Sequence, residues 1–159
     1  MKIKNNFLER TYFDSLQKNL LSNEFPWLYQ DSVAKPAENN YNHFYFTHTF
    51  YEDLAPKSNY FQNIIPILQQ LKVKSLIRVR AIMYVNQGDL VVHDKHTDFP
   101  FTHNAAVLYV NDNDGYTEID NKKIESVANT VSIFDGSKEH NSTTCTDQKV
   151  RVVLSVNYF

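Results

Sequence analysis

The feature that most constrains the fold is a change of period near residue 75. Before it, Phe61, Ile64, Ile65, Leu68 and Leu71 recur at helical spacing. After it, apolar and polar side chains alternate. Ile77, Val79, Ala81, Met83 and Val85 fall on one face of an extended run, and Leu76, Arg78, Arg80, Ile82, Tyr84 and Asn86 on the other, because successive strand side chains point to opposite sides. The alternation returns twice. Over residues 105–111, Val107 and Tyr109 oppose Ala106, Leu108 and Val110; over residues 150–159, Val150, Val152, Leu154 and Val156 oppose Arg151, Val153, Ser155 and Asn157. The chain has only 3 glycines, and each stands beside an aspartate in this half, as Gly88-Asp89, Asp114-Gly115 and Asp135-Gly136. Such pairs make turns between strands, so the second half reads as all β.

The first half is mixed. Phe7, Leu8, Tyr12, Phe13, Leu16, Leu20 and Leu21 predict an amphipathic helix over residues 7–21. Residues 25–29 are rich in strand formers, with Pro26 arguing for an edge. Residues 31–42 read as a polar loop that could serve as a lid, and residues 43–50 as a strand with Phe44, Phe46, His48 and Phe50 on one face. His48 on an apolar face is read as a core or rim histidine. A second helix follows over residues 58–71, with Ser58 as its N-cap and a kink at Pro66. Later, Asp120-Asn121 separates two short runs as a hairpin turn, and residues 131–136 form a strand stopped by Asp135-Gly136. Two helices followed by about eight short strands predict a mainly β fold with N-terminal helices: a double-stranded β-helix, the cupin-like jelly roll.

A chain of 159 residues is long enough for one domain and too short for two ordinary ones. The expectation is a single domain over 1–159, with residues 1–74 as helical and strand support and 75–159 as the jelly-roll core. A net charge of −2 gives no field that attracts nucleic acid or an anionic membrane. Cys145 is the only cysteine and has no internal partner, and the N-terminus lacks the apolar stretch of a signal peptide. A cytoplasmic setting is expected. No apolar run approaches the ~20 residues needed to span a bilayer.

The chemistry gathers around His96-Thr97-Asp98. On a strand, His96 and Asp98 project to one side and Thr97 to the other. A bare His-x-Asp is common, but His140 just past the Asp135-Gly136 turn supplies a third ligand, and Arg151 on the last strand points away from the apolar face. Two histidines and one carboxylate are the ligand set of non-haem Fe(II) oxygenases, and the arginine is a cation placed for an anionic cosubstrate. His93, three residues before His96, would face the opposite side of a continuous strand and is the runner-up ligand. His103 could contact substrate, Asp135 could orient His140 or only make its turn, and Arg78 and Arg80 could face the mouth of a pocket and meet an acidic substrate.

Taken as an ordered set, His96-Thr97-Asp98-Phe99-Pro100, Leu108-Tyr109-Val110-Asn111, Gly115-Tyr116-Thr117, and His140 followed eleven positions later by Arg151 resemble the 2-oxoglutarate/Fe(II)-dependent dioxygenases, in their prolyl-hydroxylase-like branch. The resemblance covers residues 75–159. It implies an oxidoreductase that uses Fe(II), 2-oxoglutarate and O2, with His96, Asp98 and His140 on the metal. It also implies that Arg151 clamps the C5 carboxylate of 2-oxoglutarate, aided by Tyr109, with Tyr84 on the strand before the metal ligands. Two positions depart from the pattern. Asp114-Gly115 stands where many relatives have two glycines, and Val153 stands where many have Ser or Thr, which removes one hydrogen bond to the cosubstrate. The implied reaction is hydroxylation of a C–H bond, best matched to a prolyl or other peptidyl substrate. The alternatives are a small metabolite or nucleobase, or a jelly roll that only binds or assembles.

Overall fold

The computed structural model describes residues 1–33 and 41–159; of the expected lid over residues 31–42, residues 34–40 lie outside the described residues. The first half runs β1 (Lys2–Lys4), α1 (Arg10–Leu20), β2 (Leu28–Gln30), β3 (Tyr45–Glu52), β4 (Ala55–Pro56), a 3-10 helix (Asn59–Ile64) and α2 (Ile65–Leu71). The second runs β5 (Leu76–Val85), β6 (Asn104–Tyr109), β7 (Asn113–Ile119), β8 (Lys122–Ser126), β9 (Thr130–Asp135), β10 (His140–Ser142) and β11 (Val150–Tyr158). Strands separate the helices, as residues 25–29 and 43–50 suggested, while β1 ahead of α1 was not expected from the sequence.

Local chemistry sets the helix ends. The Glu9 carboxylate accepts from the amides of Thr11 and Tyr12, both at 2.9 Å, so α1 begins at Arg10 rather than at Phe7. Phe7 and Leu8 are still buried, but on the segment leading in, where the Phe7 amide donates to the Asn129 carbonyl. Ser58 caps as expected, accepting from the Tyr60 amide. Pro66 sits in the first turn of α2, where its missing N–H is no loss, so it starts an α-helix after a 3-10 helix instead of kinking one continuous helix.

All pairing is antiparallel. One large sheet has the order β1-β9-β6-β11-β5-β3-β2, with β4 on β3, and a small one the order β10-β7-β8. β2 is an edge strand, as Pro26 suggested. The large sheet crosses residue 75: β1 pairs with β9 and β3 with β5. Asp120 and Asn121 both take positive φ in the β7–β8 turn, the conformation that a two-residue hairpin favours.

The alternation sorts the core into two layers. Phe13, Leu16, Leu20, Ile64 and Ile67 pack on Val79, Ala81, Leu108, Val152, Leu154 and Val156 from the outer face of the large sheet. From its inner face Tyr84, Val107, Tyr109, Phe134 and Val153 meet Ile119 and Ile124 of the small sheet. Arg151 and Asn157, both wholly buried, share that inner face and so lie between the sheets. No helix among the described residues is long and apolar enough to cross a membrane.

Candidate metal and anion site

His96, Asp98 and His140 converge, each offering a ligand atom within 4.8 Å of the others. The route differs from the expected strand. Residues 96–98 are irregular apart from one bridge, in which His96 and His140 exchange backbone hydrogen bonds of 2.9 Å each way. Residues opposed in this way send their side chains to the same side, and the two rings lie 4.6 Å apart between centroids. The Asp98 amide continues the contact with 3.1 Å to the Gly136 carbonyl.

Each ligand is held from behind. The His140 Nδ1 lies 2.9 Å from the Lys138 carbonyl and the His96 Nδ1 3.3 Å from the Asp94 carbonyl. A carbonyl can only accept, so both protons sit on Nδ1 and both Nε2 lone pairs are free for a metal. The Asp98 carboxylate receives Arg78 Nη2 at 3.0 Å and Asn157 Nδ2 at 2.8 Å, and its Oδ2 stands 3.8 Å from His140 Nε2. Burial pushes the His96 imidazolium below its ordinary range, and neighbouring His140 adds to this, which favours the neutral ring that metals bind.

Several expected partners fall elsewhere. Asp135 accepts from the Ser137 amide and hydroxyl, so it makes its turn and does not orient His140. His103 is buried, bonded to the Phe101 carbonyl and, through Nε2, to Asn157, so it braces Asn157 instead of meeting substrate. His48 is a core histidine held by the Pro26 carbonyl and the Ser58 hydroxyl. His93 points not to the metal ligands but to Ser142, at 3.0 Å.

Arg151 is 0% exposed and its ionic partner is missing among the described residues. Its Nε donates to Ser126 Oγ at 2.8 Å, Nη2 to Thr117 Oγ1 at 2.8 Å and Nη1 to the Thr143 carbonyl at 3.2 Å. A guanidinium carries five N–H donors, so each terminal nitrogen keeps one to give. An ion out of water without a counter-charge costs several kcal/mol, on the order of its residual desolvation; the arrangement suits an anion. A narrow cavity of about 50 Å³ joins Arg151 to Tyr84, Val153, Asp98, His96 and His140. It shares Ile82, Tyr84, His96, Asp98 and Ser155 with a cleft of about 510 Å³ bordered also by Tyr45, Arg78 and Arg80. The two arginines thus reach the mouth, but Arg78 grips Asp98 and Arg80 grips Glu52 at 2.6 Å.

Tyr84 lines both spaces, its hydroxyl 2.9 Å from Ser142 Oγ. Tyr109 does not border the cavity. Its hydroxyl lies 3.3 Å from Ser132 Oγ, and its ring stands 5.9 Å from the Arg151 guanidinium carbon, behind the cation. Sequence reasoning missed Asn157, Ser142, Thr117 and Ser126. Asn157 and Ser142 had one available signal, the shared strand face with Arg151 and with His140. Among the described residues, the buried side-chain polar atoms without a partner are Arg80 Nε, His93 Nε2, Asn141 Oδ1 and Asn157 Oδ1. Asn141 and Arg80 border the two spaces, Asn157 holds Asp98, and His93 packs on Tyr84, so all four lie at this site.

Neither a protein-family model nor a curated protein matches the sequence. Solved structures do. A prolyl hydroxylase of Trichoplax adhaerens, in complex with a hypoxia-inducible-factor oxygen degradation domain peptide, is similar at TM-score 0.72 and 15% identity, over 99% of this chain and 82% of that one. A viral collagen prolyl hydroxylase of Paramecium bursaria Chlorella virus-1, in a 2-oxoglutarate complex, gives 0.63 and 11% over 98% and 93%. The non-haem α-ketoglutarate-dependent epimerase SnoN of nogalamycin biosynthesis gives 0.67 and 14% over 99% and 76%. Likeness at such identities is likeness of fold: the chain has the double-stranded β-helix fold of the 2-oxoglutarate/Fe(II) oxygenases, as its ordered motifs led one to expect.

Proposed function

We propose that the protein is an Fe(II)- and 2-oxoglutarate-dependent dioxygenase that hydroxylates a C–H bond of a prolyl or other peptidyl substrate. The observation that carries this reading is Arg151, a wholly buried cation with unspent donors on the same cavity as His96, Asp98 and His140. A metal-binding jelly roll that does no oxygenase chemistry has no need of it.

In this reading His96, Asp98 and His140 hold the iron and Arg151 forks onto the distal carboxylate of 2-oxoglutarate. Bound iron, with 2-oxoglutarate and O2, would supply the oxidising power for hydroxylation, with succinate and CO2 as the coproducts. The chain's own residues position and exclude. Arg78 and Asn157 fix the Asp98 carboxylate; Thr117 and Ser126 fix the guanidinium plane; Val107, Ile82 and Val153 keep water from the cavity. Val153 gives no hydroxyl to the cosubstrate; the neutral hydroxyls that line the cavity belong to Tyr84, Thr117, Ser142 and Ser155, and Thr117 already accepts from Arg151.

The peptidyl substrate is supported by the fold shared with two prolyl hydroxylases, one of them bound to a peptide. A small metabolite is the second reading, favoured by a cleft of about 510 Å³, a volume on the scale of small-molecule sites. The test is anaerobic loading with Fe(II) and 2-oxoglutarate, then exposure to O2, with succinate as the readout. No succinate above the metal-free control sinks the oxygenase reading. Where succinate forms, proline-containing peptides and small carboxylic acids are screened for a mass gain of one oxygen.

A further inference from the structure

His93 is buried, ionisable and unused by the chemistry above. It is 2% exposed, its ring 5.0 Å from that of Tyr84 and 5.4 Å from that of His43. Its backbone is locked in place: the amide donates to the Ser142 carbonyl at 2.9 Å, and its carbonyl accepts from Asn141 Nδ2 at 3.1 Å. The side chain's polar contacts are to Ser142, Nδ1 reaching Oγ at 3.0 Å with the Ser142 carbonyl also favouring a ring proton, while Nε2 has none among the described residues.

That asymmetry fixes the tautomer. A proton on Nε2 would be a buried N–H with no acceptor, a costlier fault than a bare lone pair. It would also make Nδ1 an acceptor and draw the Ser142 hydrogen toward His93, away from Tyr84. With the proton on Nδ1 both faults vanish. Ser142 Oγ accepts from His93 and donates to the Tyr84 oxygen at 2.9 Å. Burial holds the ring neutral, pushing its pKa down to about 3, so a single Nδ1 proton is the one in question.

We infer that His93 and Ser142 are positioning residues that set the direction of the Tyr84 hydroxyl: the donors run from His93 Nδ1–H to Ser142 Oγ–H to Tyr84 O–H, and the last can only donate into the cavity. Tyr84 lies beside Arg151, the guanidinium carbon 5.4 Å over its ring. A free tyrosine hydroxyl rotates between donating and accepting; one that already accepts from a donor has its own O–H left to give, and a carboxylate is the acceptor it suits. This inference rests on the reading that the anion is a 2-oxoglutarate carboxylate. Removing Ser142 Oγ frees the Tyr84 hydroxyl to turn, and removing the Tyr84 hydroxyl makes Ser142 irrelevant to the anion.

The experiment has two arms. In the metal-free full-length protein, nitrogen-15 NMR of the histidine rings reads the His93 tautomer, expected as Nδ1–H with Nε2 bare. In the anaerobic Fe(II) protein, 2-oxoglutarate is titrated against the metal-to-ligand charge-transfer band in wild type, Ser142→Ala, Ser142→Thr, Tyr84→Phe and Ser142→Ala/Tyr84→Phe. Ser142→Ala and Tyr84→Phe should each weaken 2-oxoglutarate binding roughly tenfold, with iron affinity unchanged. Ser142→Thr, which keeps the hydroxyl, should restore it, and the double variant should be no weaker than Tyr84→Phe alone. A proton on Nε2, an unweakened Ser142→Ala, or additive losses in the double variant overturn the inference and leave the proposed function standing. Wild-type protein that takes up iron but no 2-oxoglutarate overturns the proposed function, and this inference with it.

Discussion

At the scale of single residues, the proposed function divides the candidate site into a half that would take metal and a half that would take an anion, and substitutions should separate them. His96→Ala, Asp98→Ala and His140→Ala should each lose Fe(II) binding, since chelation by two of three ligands is weak, while thermal melting shows a folded chain. Iron at wild-type occupancy in His140→Ala would falsify the ligand assignment. Arg151→Lys keeps the charge and loses the fork, and a charge-assisted pair of this kind contributes on the order of 1.5–3 kcal/mol. The apparent affinity for 2-oxoglutarate should fall roughly ten- to a hundredfold, with iron uptake unchanged, as read by anaerobic titration. Equal affinity in both proteins would place the carboxylate elsewhere. The residues behind these predictions were legible because ligands and ions carry motif and spacing. Their supports were not: Ser142, Thr117, Ser126 and Asn157 are hydroxyls and an amide, groups that occur everywhere on strands and acquire a role only through what faces them. Tyr109 shows the converse, a residue with a motif whose hydroxyl nevertheless reaches Ser132 and not the cavity.

At the scale of elements, strand existence and facing were readable from period two, as the inner-face series Arg151, Val153, Ser155 and Asn157 illustrates. Boundaries and irregular segments were not. The α1 start depends on a Glu9 cap that sequence preference does not single out, and residues 91–98 run beside residues 136–144 with isolated bridges where a regular strand was expected. The turns around that run are tight enough to be tested. A Cβ at Gly136 would enter the His103 ring, with His103 Cε1 at 2.6 Å and Ala105 Cβ at 3.0 Å; one at Gly115 would meet the Thr144 carbonyl and Arg151 Cδ at 2.6 Å. His103 braces Asn157, which holds Asp98. Gly136→Ala should therefore weaken iron binding roughly tenfold, and overpacking of this kind costs about 1–3 kcal/mol of stability. Gly115→Ala should instead weaken 2-oxoglutarate binding and spare iron. Iron and cosubstrate affinities measured on both variants decide it: if the two glycines affect the same ligand, the turns do not support separate halves of the site.

At the scale of the whole molecule, burial on both faces of the large sheet disfavours charged histidine, at His93 and His96 between the sheets and at His48 on the helix side, and this links stability to pH. Burial lowers the pKa of His93 to about 3 and lowers those of His96 and His48 below their ordinary values. Unfolding returns each ring to water, where it takes up a proton below about pH 6.5. Above that pH both states are neutral and these rings contribute no slope. Between about 6.5 and, for His93, about 3, the unfolded chain binds more protons than the folded one, so stability falls as pH falls. The lowered carboxylates of Glu9, Asp114 and Asp135 act in the same direction only below their ordinary range near 4, which leaves the upper part of the window to histidine. For His93 alone the slope is about 1.4 kcal/mol per pH unit, or about 2 kcal/mol between pH 6.5 and 5. Urea unfolding of the metal-free protein at a series of pH values across this window measures it, and His93→Phe should flatten the slope by about that amount whatever it does to stability at neutral pH. A His93→Phe protein that keeps the full wild-type slope would mean that the ring at position 93 is protonated in the folded state, and the neutral imidazole assigned to it would have to be abandoned.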